Sequence, residues 1–332
     1  MNMTQLPKVE LHLHLDCSLS YAAVARLAPG VTHDEYLREY VAPSRCTNLA
    51  DFLDRAPKGF LLMQDEPALK LVTEDLFHQL QADGIVYAEI RFAPLLHMQA
   101  GLTAEQVVEI VNHAVERSSL ETGIEARLIL CTLRHFDQEQ SLETAKLIET
   151  YRGSRVVALD LAGDEAGYPI NAHIKAYEYA QQHNLFRTAH AGEALGSESV
   201  WETLRLLNPT RIGHGTRSIE DAELVQYLRQ KRIHLELCPS SNVQIIPSFA
   251  ELEHHPIDKL YRADVSLNIN TDTRMLTPTT LTREYDEVSR VFGWGREEFY
   301  RTNLMAVEAA FADEAVKAGL REELSRGFQL PG

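Results

Sequence analysis

Short runs of Val, Ile and Leu recur eight times along the chain. They lie at 9–15 (VELHLHL), 85–94 (IVYAEIRFAP), 125–133 (EARLILCTL), 156–163 (VVALDLAG), 186–193 (FRTAHAGE), 211–215 (RIGHG), 234–240 (HLELCPS) and 265–272 (VSLNINTD). Their length and β-branched content predict buried strands. Between them the apolar positions change to helical spacing, as in 104–123 (AEQVVEIVNHAVERSSLETG) and 219–232 (IEDAELVQYLRQKR). Strands alternating with helices predict an α/β protein with a parallel sheet, and eight such units predict a closed (β/α)8 TIM barrel. An open doubly wound sheet is the competing fold, but no G-x-G-x-x-G follows the first strand, so its dinucleotide-binding version has no support.

Two regions exceed the repeat. About 70 residues separate the first strand from the second, far more than an ordinary crossover needs. They include DFLDRAPKGFLLM (51–63) and a helical pattern over 66–83. Because this insertion, about 17–83, follows a strand, it rises from the C-terminal rim and is expected to form a helical lid. The tail over 296–328 reads as helices packed outside the barrel. No Pro/Gly/Ser-rich linker divides the chain, so 1–332 reads as a single domain.

Composition narrows the class. The 332 residues are 45% hydrophobic, ordinary for a globular protein, and carry 32 Lys plus Arg against 48 Asp plus Glu, a formal charge of -16. No basic run offers a phosphate-binding face, which excludes nucleic acid as the expected partner. No stretch approaches the roughly 18 apolar residues of a membrane span, and the opening MNMTQLPKVE has no apolar signal core. Cys17, Cys46, Cys131 and Cys238 are scattered without a C-x-x-C pair, as reduced thiols are. A cytoplasmic protein is expected.

The chemistry is suggested by polar residues where apolar ones belong. In the first strand His12 and His14 share one face while Leu11, Leu13 and Leu15 take the other. A lone H-x-H has a bland explanation, two hydrogen-bonded core histidines. Yet His190 and Glu193 end the fifth run, His214 the sixth and Asp272 the eighth, and barrel enzymes build their sites from the C-terminal ends of several strands. Three imidazoles and one carboxylate, with a position left for water, suit zinc, so we read His12, His14, His190 and Asp272 as ligands of one zinc ion per chain. Zinc lowers the pKa of its water toward 7 and so supplies the nucleophile. Glu193, three residues past His190, overhangs the pocket as general acid. His214, between Gly213 and Gly215, orients the water and stabilises charge.

Together HLHLD (12–16), LDLAGDE (159–165), HAGE (190–193), GHG (213–215), CPSSN (238–242) and NTD (270–272) resemble the adenosine deaminase family, in that family's order and over nearly the whole chain. The resemblance implies a zinc-containing (β/α)8 barrel that converts adenosine or 2'-deoxyadenosine to the inosine product and ammonia. It gives Glu193 the protonation of purine N1, and His214 with Asp272 the positioning of the water that attacks C6. It gives Gly163 a backbone N–H for purine N3, brings Asp16 to the ribose 5'-hydroxyl, and sets His14 beside the substrate as well as the metal. The fourth strand lacks the lysine that bridges two metals in binuclear relatives, so a single catalytic metal is expected. The partners implied are a small purine nucleoside and water.

Two positions depart from the family pattern. Cys17 stands where the family commonly has glycine, and TDTR (271–274) stands where it has T-D-D-P, so Thr273 replaces the aspartate that binds purine N7. Both are expected near the substrate. They leave open a related aminopurine: adenine, an N6-substituted adenine, or a 5'-modified adenosine such as aminodeoxyfutalosine. Another metal-dependent hydrolase on the same barrel, or a nucleoside-binding protein without activity, is the remaining class.

Overall fold

The computed structural model describes residues 2–249 and 251–329. Its strands are β1 (Lys8–His14), β2 (Ile85–Phe92), β3 (Glu125–Leu133), β4 (Val156–Ala162), β5 (Phe186–Ala191), β6 (Arg211–His214), β7 (His234–Leu237) and β8 (Leu267–Ile269). They pair in parallel in chain order. A bridge between Leu13 and Asp272 brings the last strand back to the first: His14 N donates to Asp272 O (2.8 Å) and Asp272 N to His12 O (3.1 Å). The fold is a (β/α)8 TIM barrel.

Each predicted strand is present, but β6, β7 and β8 are shorter than their apolar runs, at four, four and three residues. His214, the last residue of β6, takes a left-handed backbone angle (φ 59°), which cannot continue an extended strand; Asp272, also left-handed (φ 65°), lies three residues past the end of β8. The helix read over 104–123 is Ala104–Thr122, entered through a capping box of Thr103 and Gln106 and stopped at left-handed Gly123. The one read over 219–232 divides into a 3-10 turn, Thr216–Glu220, and a helix, Ala222–Lys231. Asp221 divides them, because its carboxylate accepts the N–H groups of Glu223 and Leu224 as an N-cap.

Between β1 and β2 the chain forms helices Tyr21–Leu27, His33–Glu39, Leu49–Leu53, Ala56–Phe60 and Glu66–Ala82. The last packs against Ala104–Thr122 in the outer ring, and Leu49–Leu53 with Ala56–Phe60 lies over the barrel mouth. Gly59 permits this: a Cβ there would stand 2.8 Å from Asp16 O and 2.7 Å from the Met275 methyl. In the tail, Arg296–Ala309 packs on β1 and β8, and Glu314–Phe328 packs on it in turn.

The barrel interior carries paired charges. Fully buried Arg91 donates to Asp160 Oδ2 (2.9 Å), Glu236 Oε2 (2.7 Å) and Leu11 O (2.6 Å). Arg211 pairs with Glu236 Oε1 (2.7 Å) and Glu89 Oε2 (2.6 Å). Asp160, Arg91, Glu236, Arg211 and Glu89 thus alternate in sign, as buried charges must if none is to stand unpaired.

Candidate active site

β1 delivers the two histidines as its alternation requires. Leu11 and Leu13 are wholly buried in the apolar core, while the His12 and His14 rings lie 5.3 Å apart on the other face. The register of β1 on β2 slips between Glu10 and Leu13, and the N–H groups of Leu11 and His12 go to Asn270 Oδ1 instead (2.8 and 3.1 Å). Asn270 is thus an adaptor between β8 and β1, two residues before Asp272.

His12, His14, His190 and Asp272 converge: one donor atom from each lies within 4.8 Å of all the others. His14 Nε2 is 3.2 Å from His190 Nε2, and Asp272 Oδ1 is 3.4 Å from His12 Nε2 and 3.6 Å from His14 Nε2. Behind them Glu236 Oε2 takes His12 Nδ1 (2.8 Å) and Asp160 Oδ1 takes His190 Nδ1 (3.1 Å). A carboxylate accepts only a proton-bearing nitrogen, so both rings carry Nδ1–H and turn an Nε2 lone pair inward. Ser241 Oγ donates to Asp272 Oδ2 (2.7 Å), which leaves Oδ1 to the histidines. Among the described residues His12 Nε2 has no hydrogen-bond partner, a buried acceptor whose geometry suits a cation. Burial lowers His14 to about 3, so its ring is neutral as a ligand must be. Gly213 makes room: a Cβ there would lie 3.0 Å from His12 Cε1 and 3.2 Å from His190 Cγ.

A second chain of hydrogen bonds fixes His214. Ile257 N donates to His255 Nδ1 (3.2 Å), so the His255 proton is on Nε2, which donates to Asn242 Oδ1 (3.2 Å). Thr216 Oγ1 donates to the same oxygen (2.8 Å). Asn242 Nδ2 therefore faces His214 Nδ1 at 3.0 Å and can only donate, which places the His214 proton on Nε2. Burial, then nearby His12, holds His214 well below the ordinary imidazole range. Glu193 Oε1 lies 3.5 Å from His214 Nδ1 and 3.4 Å from Asn242 Nδ2. Burial, and after it the charges of Asp272 and Glu165, raise Glu193 well above the carboxylate range, which favours its protonated form.

A cavity of about 470 Å³ opens at His14. His14 lines it from β1, Asp16 and Cys17 from the 3-10 turn that follows (Leu15–Cys17), and Gly163 from just past β4, with Leu53 and Phe60 of the covering helices. Glu193 lines an adjoining cavity that shares Ala50 and Asp164 with the first. The two departures differ in placement. Cys17 lines the cavity, whereas Thr273 is buried with its hydroxyl accepting Thr277 N (3.3 Å) and is absent from the described lining. Arg274 turns away altogether, to Glu10 Oε2 (2.8 Å) and Asp83 Oδ2 (2.9 Å). Within TDTR, Asp272 lies beside the histidines and Arg274 is a buried ion-pair partner.

The family model described as adenosine deaminase matches residues 7–326. The chain belongs to the adenosine deaminase family. Among its relatives in that family is adenosine deaminase 1 of Streptomyces coelicolor, 37% identical, the alignment covering 92% of this chain and 82% of that protein. Among solved structures, adenine deaminase from Arthrobacter aurescens superimposes with a TM-score of 0.90 at 26% identity over 98% of this chain and 100% of the other. The Arabidopsis N6-mAMP deaminase does so at 0.86 and 26%, over 98% and 99%.

Several residues of this deaminase that support its candidate site escape the sequence reading: Asp160, Glu236, Arg91, Glu165, Ser241 and Asn242. A signal existed for most. Arg91, Asp160 and Glu236 are charges inside otherwise apolar strands, and Ser241 and Asn242 belong to CPSSN, to which no role was given.

Proposed function

We propose that this deaminase hydrolyses adenosine and 2'-deoxyadenosine to inosine and 2'-deoxyinosine with release of ammonia, using one zinc ion held by His12, His14, His190 and Asp272. The observation that carries the reading is the convergence of three imidazole nitrogens and a carboxylate oxygen, with the buried Glu193 carboxyl 3.5 Å from His214 beside them. Zinc, when bound, would activate a water as nucleophile at neutral pH. Glu193 gives its proton to purine N1, so that negative charge does not accumulate on the ring as C6 is attacked. His214 presents Nε2–H, and Asp272, oriented by Ser241, keeps Oδ1 on the reacting side. Gly163, held at φ 98°, offers its N–H to purine N3, and Asp16 accepts from the ribose 5'-hydroxyl. The Thr273 hydroxyl accepts Thr277 N, which leaves its O–H proton for the N7 contact assigned to it.

The cavity favours a nucleoside over a nucleotide. Asp16, Asp54 and Asp164 line it, and no Lys or Arg does among the described residues. A 5'-phosphate dianion would meet repulsion there with no cation to offset it. The free base is the second reading, supported by the likeness to an adenine deaminase. The test is a panel of adenosine, 2'-deoxyadenosine, adenine, N6-methyladenine, AMP and a 5'-modified adenosine, followed by ultraviolet change and ammonia. Adenosine and 2'-deoxyadenosine should lead in kcat/KM, with AMP lower by at least about 100-fold. Adenine turned over faster than adenosine would replace the nucleoside reading.

A further inference from the structure

The loop after β5 carries Glu193, and nothing in its own sequence holds it still. It leaves the strand through Gly192 at φ 71°, where Val200 Cγ2 already fills the space of a side chain. The next N–H groups have no strand or helix to pair with. They turn instead to one carboxylate, Glu165, from the loop after β4. Its Oε1 accepts Gly192 N (2.7 Å) and Ser199 Oγ (2.6 Å), and its Oε2 accepts Glu193 N (3.0 Å), Ala194 N (2.6 Å) and Leu195 N (3.0 Å). Four consecutive backbone donors around one anion form a nest, and Glu165 is buried within it. From outside, Arg217 Nη1 holds Ala194 O (3.0 Å) and Arg134 Nη2 holds His190 O (3.0 Å).

A simple stability role would not require the nest to begin at Gly192 and include Glu193 itself. The Glu193 backbone is fixed within one residue of its own side chain, and that side chain ends 3.5 Å from His214. Proton delivery to a ring nitrogen is steep in distance, and an error of about 1 Å costs on the order of 100-fold. We propose that Glu165 is a positioning residue of the deamination: its carboxylate sets the backbone of 192–195 and thereby places the Glu193 carboxyl over the purine ring. The proposal rests on the reading of Glu193 as proton donor. The Glu165 charge also helps raise Glu193, which works in the same direction.

The test is a double-mutant cycle on the zinc-loaded enzyme with adenosine, using Glu165→Gln, Glu193→Gln and both together, with zinc content and melting temperature measured for each. Glu165→Gln keeps the shape but turns one acceptor oxygen into a donor, which the nest cannot use. Its kcat should fall about 10- to 100-fold with KM changed by less than about threefold and zinc unchanged. In the Glu193→Gln background the same change should cost less than about threefold, because the group it positions is gone. Equal losses in both backgrounds would overturn the proposal, as would an unchanged kcat in Glu165→Gln. Should Glu165→Gln not fold, Ser199→Ala, which removes one donor to the same carboxylate, is carried through the same cycle and judged by the same criterion. Wild-type activity in Glu193→Gln alone would instead remove the reading of Glu193, which separates the two failures.

Discussion

A histidine can hold a metal only with the nitrogen that has no proton, and here that choice is made by the residue behind the ring. Glu236 and Asp160 take the Nδ1 protons of His12 and His190, so the inward nitrogens are lone pairs before any ion arrives. Replacing Glu236 by Gln weakens this acceptor, and its amide can also turn N–H toward the ring. We expect zinc affinity to fall by about 10- to 100-fold, measured by chelator competition, while circular dichroism stays that of a folded barrel. Unchanged affinity would mean that the ring is oriented by packing alone. At this scale the ligands were legible because H-x-H and HAGE are local patterns. Their supports were not, since Glu236 stands 224 residues from His12 and Asp160 stands 30 from His190.

Elements were legible where local chemistry decides them and misread where a single residue overrides the pattern. The capped helix Ala104–Thr122 follows its sequence, but Asp221 cuts the next expected helix and left-handed His214 ends β6. Helix Leu281–Phe292 carries a group with its own pH signature. Its Glu284 is buried and accepts Ser240 N (3.1 Å) and Thr279 Oγ1 (2.8 Å), which ties it to the short helix Pro239–Ile245 that bears Ser241 and Asn242. Burial, only partly offset by those hydrogen bonds, raises it from 4.5 to about 7. The folded state therefore binds this proton more tightly than the unfolded chain. Its contribution is fully present below about pH 4.5 and lost as pH rises to about 7, a change on the order of 3 kcal/mol. Glu284→Gln should flatten this part of the stability profile and raise the melting temperature at pH 8 relative to wild type. A wild-type profile parallel to that of the variant between pH 4.5 and 7 would contradict it.

For the whole molecule, strand number and order followed from eight apolar runs, because a parallel sheet with crossover helices has few ways to close. The charged interior did not follow, since its pairs form only when the barrel is shut. Arg91 joins the two carboxylates that face His12 and His190, so Arg91→Met leaves both under-compensated in the core. Denaturant unfolding should show a loss of about 3–5 kcal/mol. A loss below about 1 kcal/mol would mean that the carboxylates take up protons at little cost. We propose that this enzyme deaminates adenosine with one zinc ion that His12, His14, His190 and Asp272 would hold at the mouth of the barrel. The most direct measurement is to strip the purified protein with a chelator, return zinc in steps, and follow ammonia release from adenosine. We predict no turnover in the stripped protein, a linear rise that saturates at one zinc per chain, and no recovery in His12→Ala or His14→Ala. Ammonia release from the metal-free protein, or none at full zinc loading, would contradict the account.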